Sequence, residues 1–273
     1  MCTKKNILCI IAFNLTLSIN AIAQNKNYDS YFSSKDSTII AGKVIGYTPG
    51  NGDDFINFKT HNLAGDETKH AIQLNNDGTF SFSFYQPNRG DIVVNYKNAF
   101  ENVYTEPSKK ISLTIFNNKL DTDNNNAFAA NGQLADINNL NFDFQSEFLR
   151  HQFRSKADLG DKGQPDSAFA QKRSEQLNEE LAFLNKYVAD KHVTNEAFKK
   201  FQFDKLSYTA GGDILLFPFF GKLNKTITEN QLLKFIAQFP VDNARALDNV
   251  AYLAFLKKLI LDEQIIININ KLK

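Results

Sequence analysis

Apolar spacing changes once along this chain, and that change limits the fold more than any other feature. From Ser37 to Phe116 the apolar residues alternate with polar ones or form short runs; from Asn131 onward they recur every three to four residues. A period of two buries one face of a strand, and a period near 3.6 buries one stripe of a helix. The order predicts an α+β chain, with strands first and helices after.

The clearest strand is Thr79 to Tyr85, where Phe80, Phe82 and Phe84 alternate with Ser81 and Ser83 behind the turn Asn76-Asp77-Gly78. Runs at Ile39 to Ile45, Phe55 to Phe58, Ala71 to Leu74, Ile92 to Tyr96, Asn102 to Tyr104 and Ile111 to Phe116 bring the count to about seven. Turns such as Pro49-Gly50-Asn51-Gly52 and Gln86-Pro87-Asn88-Arg89-Gly90 divide them. Short strands separated this way predict an antiparallel β-sandwich over residues 37–116. The Asn- and Asp-rich stretch 117–132 reads as a linker.

The helical domain is predicted over 133–273. Leu134, Ile137, Leu140, Phe144, Phe148 and Phe153 mark one helix; a second opens at Pro165-Asp166 and carries Leu177, Leu181, Leu184 and Val188. A third begins at Thr194 and runs through Phe198, Phe201 and Leu206. Thr228 with Gln231 forms a capping box for a fourth, which Pro240 ends, and a last helix runs from Asp242 through Leu259. A helical bundle after the sandwich is the expected architecture.

Residues 1–23 carry Lys4 and Lys5, an apolar stretch from Ile7 to Leu17, and Ala21-Ile22-Ala23 before Gln24. This is the pattern of a secretory signal peptide. Its apolar core is about a dozen residues long, short of the roughly 20 that a membrane-spanning helix needs. Cleavage near Ala23/Gln24 is expected, leaving residues 24–36 as a flexible start, no transmembrane span, and a periplasmic or secreted protein of the cell envelope. Both cysteines, Cys2 and Cys9, fall within the removed segment. The mature chain then has no thiol chemistry and holds together by burial, to which 25 phenylalanines and no tryptophan contribute. Lys and Arg number 31 against 30 Asp and Glu, a balance that gives nucleic acid no electrostatic footing.

Asn76 to Phe82, then Thr105-Glu106-Pro107-Ser108 to Leu113, then Phe128 to Gly132 with Asn138-Asn139-Leu140, together resemble the N-terminal region of Bacteroidota TlpA-type envelope proteins. In that family an exported β-sandwich of unassigned function and a helical segment precede a thioredoxin-like domain. The resemblance implies an envelope module and no catalytic residue, because the Trp-Cys-x-x-Cys motif of the redox domain has no counterpart here. Ser108 stands where the family places a glycine that takes positive φ easily.

No chemistry-bearing constellation stands out. His61, His70, His151 and His192 are dispersed, and Asp121-Thr122-Asp123-Asn124-Asn125 begins a calcium loop that Asn126 and Gly132 fail to complete. Arg89-Gly90-Asp91 reads as turn chemistry. No cofactor, metal or catalytic residue is assigned. The stretch Tyr208 to Gly221 is the most apolar: Gly211-Gly212 predicts a flexible lead-in, Pro218 a break in any helix, and Phe217, Phe219 and Phe220 crowd three rings together. Core packing is the first expectation for this segment. Tyr208, Phe217, Phe219 and Phe220 are also the candidate interaction surface, for a protein partner, for self-association or for a small apolar ligand. The tail Ile265 to Asn270 reads as β-prone and in need of a partner.

Three functional classes follow. The leading one is a noncatalytic exported binding or scaffold module. The alternative is a truncated or degenerate thiol-disulfide oxidoreductase whose thioredoxin-like domain is missing. A hydrolase with dispersed residues has the least support.

Overall fold

A computed structural model describes residues 37–62, 64–86, 88–120, 127–151, 166–220 and 238–271. The expected signal peptide, the 24–36 segment, the Asp121 to Asn126 loop and the helix expected at Thr228 up to residue 237 lie outside them. The chain is α+β, with two four-stranded sheets and four helices among the described residues.

Strands β1 (Ser37–Ile45), β4 (Thr79–Tyr85), β7 (Lys110–Phe116) and β8 (Phe128–Gly132) form the first sheet in the order β4-β1-β7-β8. Strands β2 (Phe55–His61), β3 (Glu67–Gln73), β5 (Gly90–Tyr96) and β6 (Ala99–Thr105) form the second in the order β3-β2-β5-β6. Inner residues of both sheets share one apolar cluster that includes Ile40, Ile56, Phe58, Phe80, Val94 and Ile111. Phe58 stacks on Phe82 of the opposite sheet, with ring centroids 4.6 Å apart. Phe80 and Phe82 are buried while Ser81 and Ser83 face solvent, as the alternation predicts.

Two expectations for this half are corrected. The seven antiparallel strands are eight, and β1 runs parallel to β7, with Ile40 beside Ile111 and Val44 beside Ile115. Spacing reveals that a strand exists but carries no record of its direction. Gly42 shows how close that pairing is, since a Cβ there would stand 2.1 Å from the Leu113 carbonyl oxygen. The eighth strand lies in the stretch read as a linker. Phe128 and Ala130 point inward from it, and it pairs with β7.

The helices are α1 (Ala135–His151), α2 (Asp166–Asp190), α3 (Glu196–Phe220) and α4 (Val250–Lys271). None of the described helices is long and apolar enough to cross a membrane. Phe144 of α1 meets Tyr187 of α2 and Phe198 of α3 edge-on, at 5.2 and 5.9 Å. A second cluster joins α2, α3 and α4 through Phe169, Tyr208, Phe217 and Phe255. Helices and sheets are also joined: Tyr104 of β6 packs with Ile137, Leu184 and Phe201.

Helix α3 corrects the expected break. It runs through Gly211-Gly212 and Pro218 to Phe220. Gly211 is a contact point and not a hinge, because a Cβ there would meet the Phe255 ring at 3.0 Å and the Phe239 ring at 3.2 Å. Pro218 falls in the last turn, with only Phe219 and Phe220 of the helix beyond it. The last helix begins at Val250, and Ala244–Asp248 forms a 3-10 turn ahead of it. Asn249 sets that start: it is fully buried, accepts from the Ala251 N–H at 3.0 Å, and donates to the Phe201 carbonyl of α3 at 3.0 Å. The backbone from Ile265 to Asn270 is helical within α4, so the expected β-prone end is corrected as well.

Candidate functional site

Of the four expected interaction residues, Tyr208 and Phe217 lie in the core. Tyr208 is 2% exposed; its hydroxyl donates to the Pro240 carbonyl and accepts from Asn243 Nδ2, both at 3.0 Å. Phe217 is equally buried and lies flat on Phe169, with centroids 3.9 Å apart. Both are core residues that fasten α3 to its neighbours. The side chains of Phe219 and Phe220 lie outside the described residues.

The histidines stay apart. His70 sits opposite Phe58 and near Thr60 Oγ1 at 3.2 Å, whereas His61 sits opposite Glu67. His151 stacks on Phe183, and His192 takes φ 51° after the end of α2. Among the described residues no group of His, Cys, Asp and Glu could hold a metal ion.

A cleft of about 530 Å³ opens where the ends of β2, β4 and β5 meet the 3-10 turn and the start of α4. That volume falls within the range of about 300–1,000 Å³ common to small-molecule sites. Its polar side comes from Thr60, His61, Gln86, Arg89, Asp91 and Asp248. Its apolar side comes from Phe84, Ile92, Leu247, Val250 and Leu253, with Tyr85 also lining it and 60% exposed.

The scaffold beneath is tied across long sequence distances. Asn88 Nδ2 donates to the Leu247 carbonyl at 2.7 Å and to the Arg89 carbonyl at 2.9 Å, which joins the β4–β5 connection to the 3-10 turn. Thr105 Oγ1 donates to the Gly90 carbonyl at 2.8 Å. Gly90 passes close to the turn, and a Cβ there would lie 3.2 Å from the Asp248 carbonyl oxygen. Lys205 of α3 reaches across to Asp91 Oδ2 at 3.1 Å. The register that pairs Asn57 with Asn95 and Lys59 with Val93 sets His61 level with Asp91, two residues beyond the last pair.

Three side-chain atoms of residues in the cleft wall, His61 Nδ1, Gln86 Oε1 and Asp91 Oδ1, are closed off from solvent and have no hydrogen-bond partner within the protein. Gln86 and Asp91 are 8% and 7% exposed. An unmatched buried polar atom costs about 1–3 kcal/mol, and these three sit inside the wall, behind its accessible surface. Burial pushes the Asp248 carboxyl up to about 6, while the charges of Lys200 and Arg89 pull it partly back.

Sequence reasoning passed over this cleft. Gln86 to Asp91 has the composition of a solvated turn, and only the contact with residues 247–250 turns it into a wall. No protein-family model, curated protein or solved structure matches this chain.

Proposed function

We propose that this chain is a noncatalytic binding module of the bacterial cell envelope, and that the cleft between the second sheet and the start of α4 is where it binds. The observation that carries the reading is a cleft of about 530 Å³, a size common to small-molecule sites, lined by polar side chains such as Thr60 and Arg89 together with apolar ones such as Leu247 and Leu253. Placement in the envelope rests on the leader pattern of residues 1–23 and on the resemblance to the front region of TlpA-type proteins. In that frame the sheets and helices are an exported sandwich and bundle, and a redox partner, if one takes part, is a separate domain.

Binding is tested with the full chain and a library of small sugars, short peptides and fatty acids, compared with an Ala64→Trp variant. Ala64 lines the cleft and is exposed, so tryptophan there fills the space without disturbing the core. Ligands that bind the wild type and not the variant support the reading; ligands indifferent to the variant contradict it. Export is tested by mass spectrometry of the protein recovered from a Gram-negative periplasm, with Gln24 expected as the N-terminus and retained Met1 contradicting it. Reduction of insulin disulfides by the chain would contradict the noncatalytic assignment.

A further inference from the structure

We propose that the free edge of β4 pairs with the same edge of a second copy of this chain, antiparallel about a twofold axis at Ser83, so that the two copies share one continuous sheet. The two sheets end in four strand edges, β4 and β8 on the first, β3 and β6 on the second, and three of them are guarded. Asn138 of α1 bonds both backbone groups of Tyr104 on β6, and Asn139 does the same for Ala130 on β8. Strand β3 carries Glu67 and Lys69, exposed charges of the kind that keep an edge from pairing. Strand β4 reads Thr-Phe-Ser-Phe-Ser-Phe-Tyr, with no charge and no proline. His70 of β3 meets the Phe82 ring at 4.9 Å, but from the opposite sheet and not along the ladder.

The backbone of that edge is open. Val44 N–H of β1 donates to the Gly78 carbonyl at 2.9 Å, whereas Ile39 N–H turns the other way, to the Lys109 carbonyl at 3.0 Å. Residues of an antiparallel pair bond alternately, so Phe80, Phe82 and Phe84 bond β1. Ser81, Ser83 and Tyr85 then turn their N–H and C=O groups outward, where they meet no partner among the described residues. Thr79 is already satisfied: its carbonyl accepts from the Asn75 N–H at 2.9 Å and its N–H donates to Asp77 Oδ1 at 3.1 Å. An axis at Ser83 therefore uses all the free groups, setting Ser83 against its own counterpart and Ser81 against Tyr85 of the second copy. A twofold axis sets like against like, so a charged strand repels itself there and this uncharged one does not. The same register sets Phe82 beside Phe84 of the second copy on the inner face. Phe82 and Phe84 already stack at 5.0 Å, and the pairing covers the Phe84 ring that one chain alone leaves half-buried. A partner of unlike sequence would gain the backbone bonds without this ladder of rings.

The test is sedimentation equilibrium of the full chain over a wide range of concentration, beside the variants Ser83→Lys, Ser83→Glu and Ser83→Pro. A monomer–dimer equilibrium is expected for the wild type. Ser83 is exposed, so Ser83→Lys and Ser83→Glu keep the fold. Each sets like charges across the axis and should weaken the dimer about threefold or more, and an equal mixture of the two should restore it. Ser83→Pro removes an outward N–H and no bond to β1, and should weaken the dimer about tenfold or more while the chain still melts cooperatively. A wild type that stays monomeric throughout overturns the proposal. A dimer indifferent to all the variants overturns it too, as does one that the charged variants weaken with no recovery on mixing. Assembly into open polymers contradicts the closed twofold pairing.

Discussion

Asn138, fully buried at the start of α1, takes both backbone hydrogen bonds of Tyr104 on the β6 edge: its Oδ1 accepts from the Tyr104 N–H at 2.7 Å and its Nδ2 donates to the Tyr104 carbonyl at 2.9 Å. The next residue repeats the device on the other sheet. Asn139 accepts from the Ala130 N–H at 2.8 Å and donates to the Ala130 carbonyl at 2.9 Å on the edge strand β8. Two consecutive side-chain amides thus stand in for a neighbouring strand at one edge of each sheet, and they fasten the helices to both. Asn138→Ala should lower the unfolding free energy by about 2–4 kcal/mol, because it strands two buried backbone groups. Asn139→Ala, at an exposed position, should cost about 1 kcal/mol. Urea titration of both variants checks the contrast, and equal losses would contradict it.

A buried ion cluster joins α2 to α3. Arg173 Nε meets Asp213 Oδ2 at 2.9 Å, Arg173 Nη1 meets Glu180 Oε2 at 3.3 Å, and Gln176 Nε2 donates to Glu180 Oε1 at 2.8 Å. Burial raises the Glu180 pKa in spite of the Arg173 charge. Arg173→Met should destabilise by about 3–5 kcal/mol, since it leaves carboxylates uncompensated, and Arg173→Met with Glu180→Met should recover most of that loss. A double variant no better than the single would contradict the assignment.

Gly211 sets the spacing of α3 and α4. Gly211→Leu should cost about 2 kcal/mol or more by pushing the Phe255 and Phe239 rings aside. Gly211→Ala should fall near neutral, where about 1 kcal/mol of helix preference offsets the tight contact. Thermal melts of the two decide it; a stabilising Gly211→Leu would show that the helices do not touch there.

Glu101 gives the stability a pH dependence of known sign. Its carboxyl is 4% exposed on β6, and burial pushes it up to about 8 from an ordinary value of 4.5, with the Lys205 charge pulling it partly back. The unfolded chain therefore releases the proton first as pH rises. Stability should fall between about pH 4.5 and 8 and then level off. Glu101→Gln should remove much of that fall, adding roughly 1–3 kcal/mol at pH 7 and almost nothing at pH 4. A variant equally stable at pH 4 but no more stable than wild type at pH 7 would contradict this.

Much of the fold is legible locally. The alternation through Phe80, Phe82 and Phe84 gave its strand and its buried face, and the apolar stripes of α1 and α2 gave their helices. The features missed depend on distant partners. Strand β8 is five residues long and rich in alanine, with its inward face defined only by β7. Gly211-Gly212 and Pro218 discourage a helix in isolation, yet packing against Phe255 holds one. Ser108 takes φ 62°, a backbone state the sequence shows only as a residue ill suited to it. The cleft was hidden for the same reason: Asn88 and Leu247 are 159 residues apart, and nothing in either neighbourhood announces the other.

The measurement that tests the central claim most directly is the change in backbone amide chemical shifts of the full chain when it is titrated with the best-binding small ligand from the library of sugars, peptides and fatty acids. The account predicts saturable shifts concentrated at residues 60–62, 85–86, 88–92 and 247–250, four stretches of the cleft wall. Shifts concentrated elsewhere, such as on the outer face of β4 near Ser81 and Ser83, would contradict it.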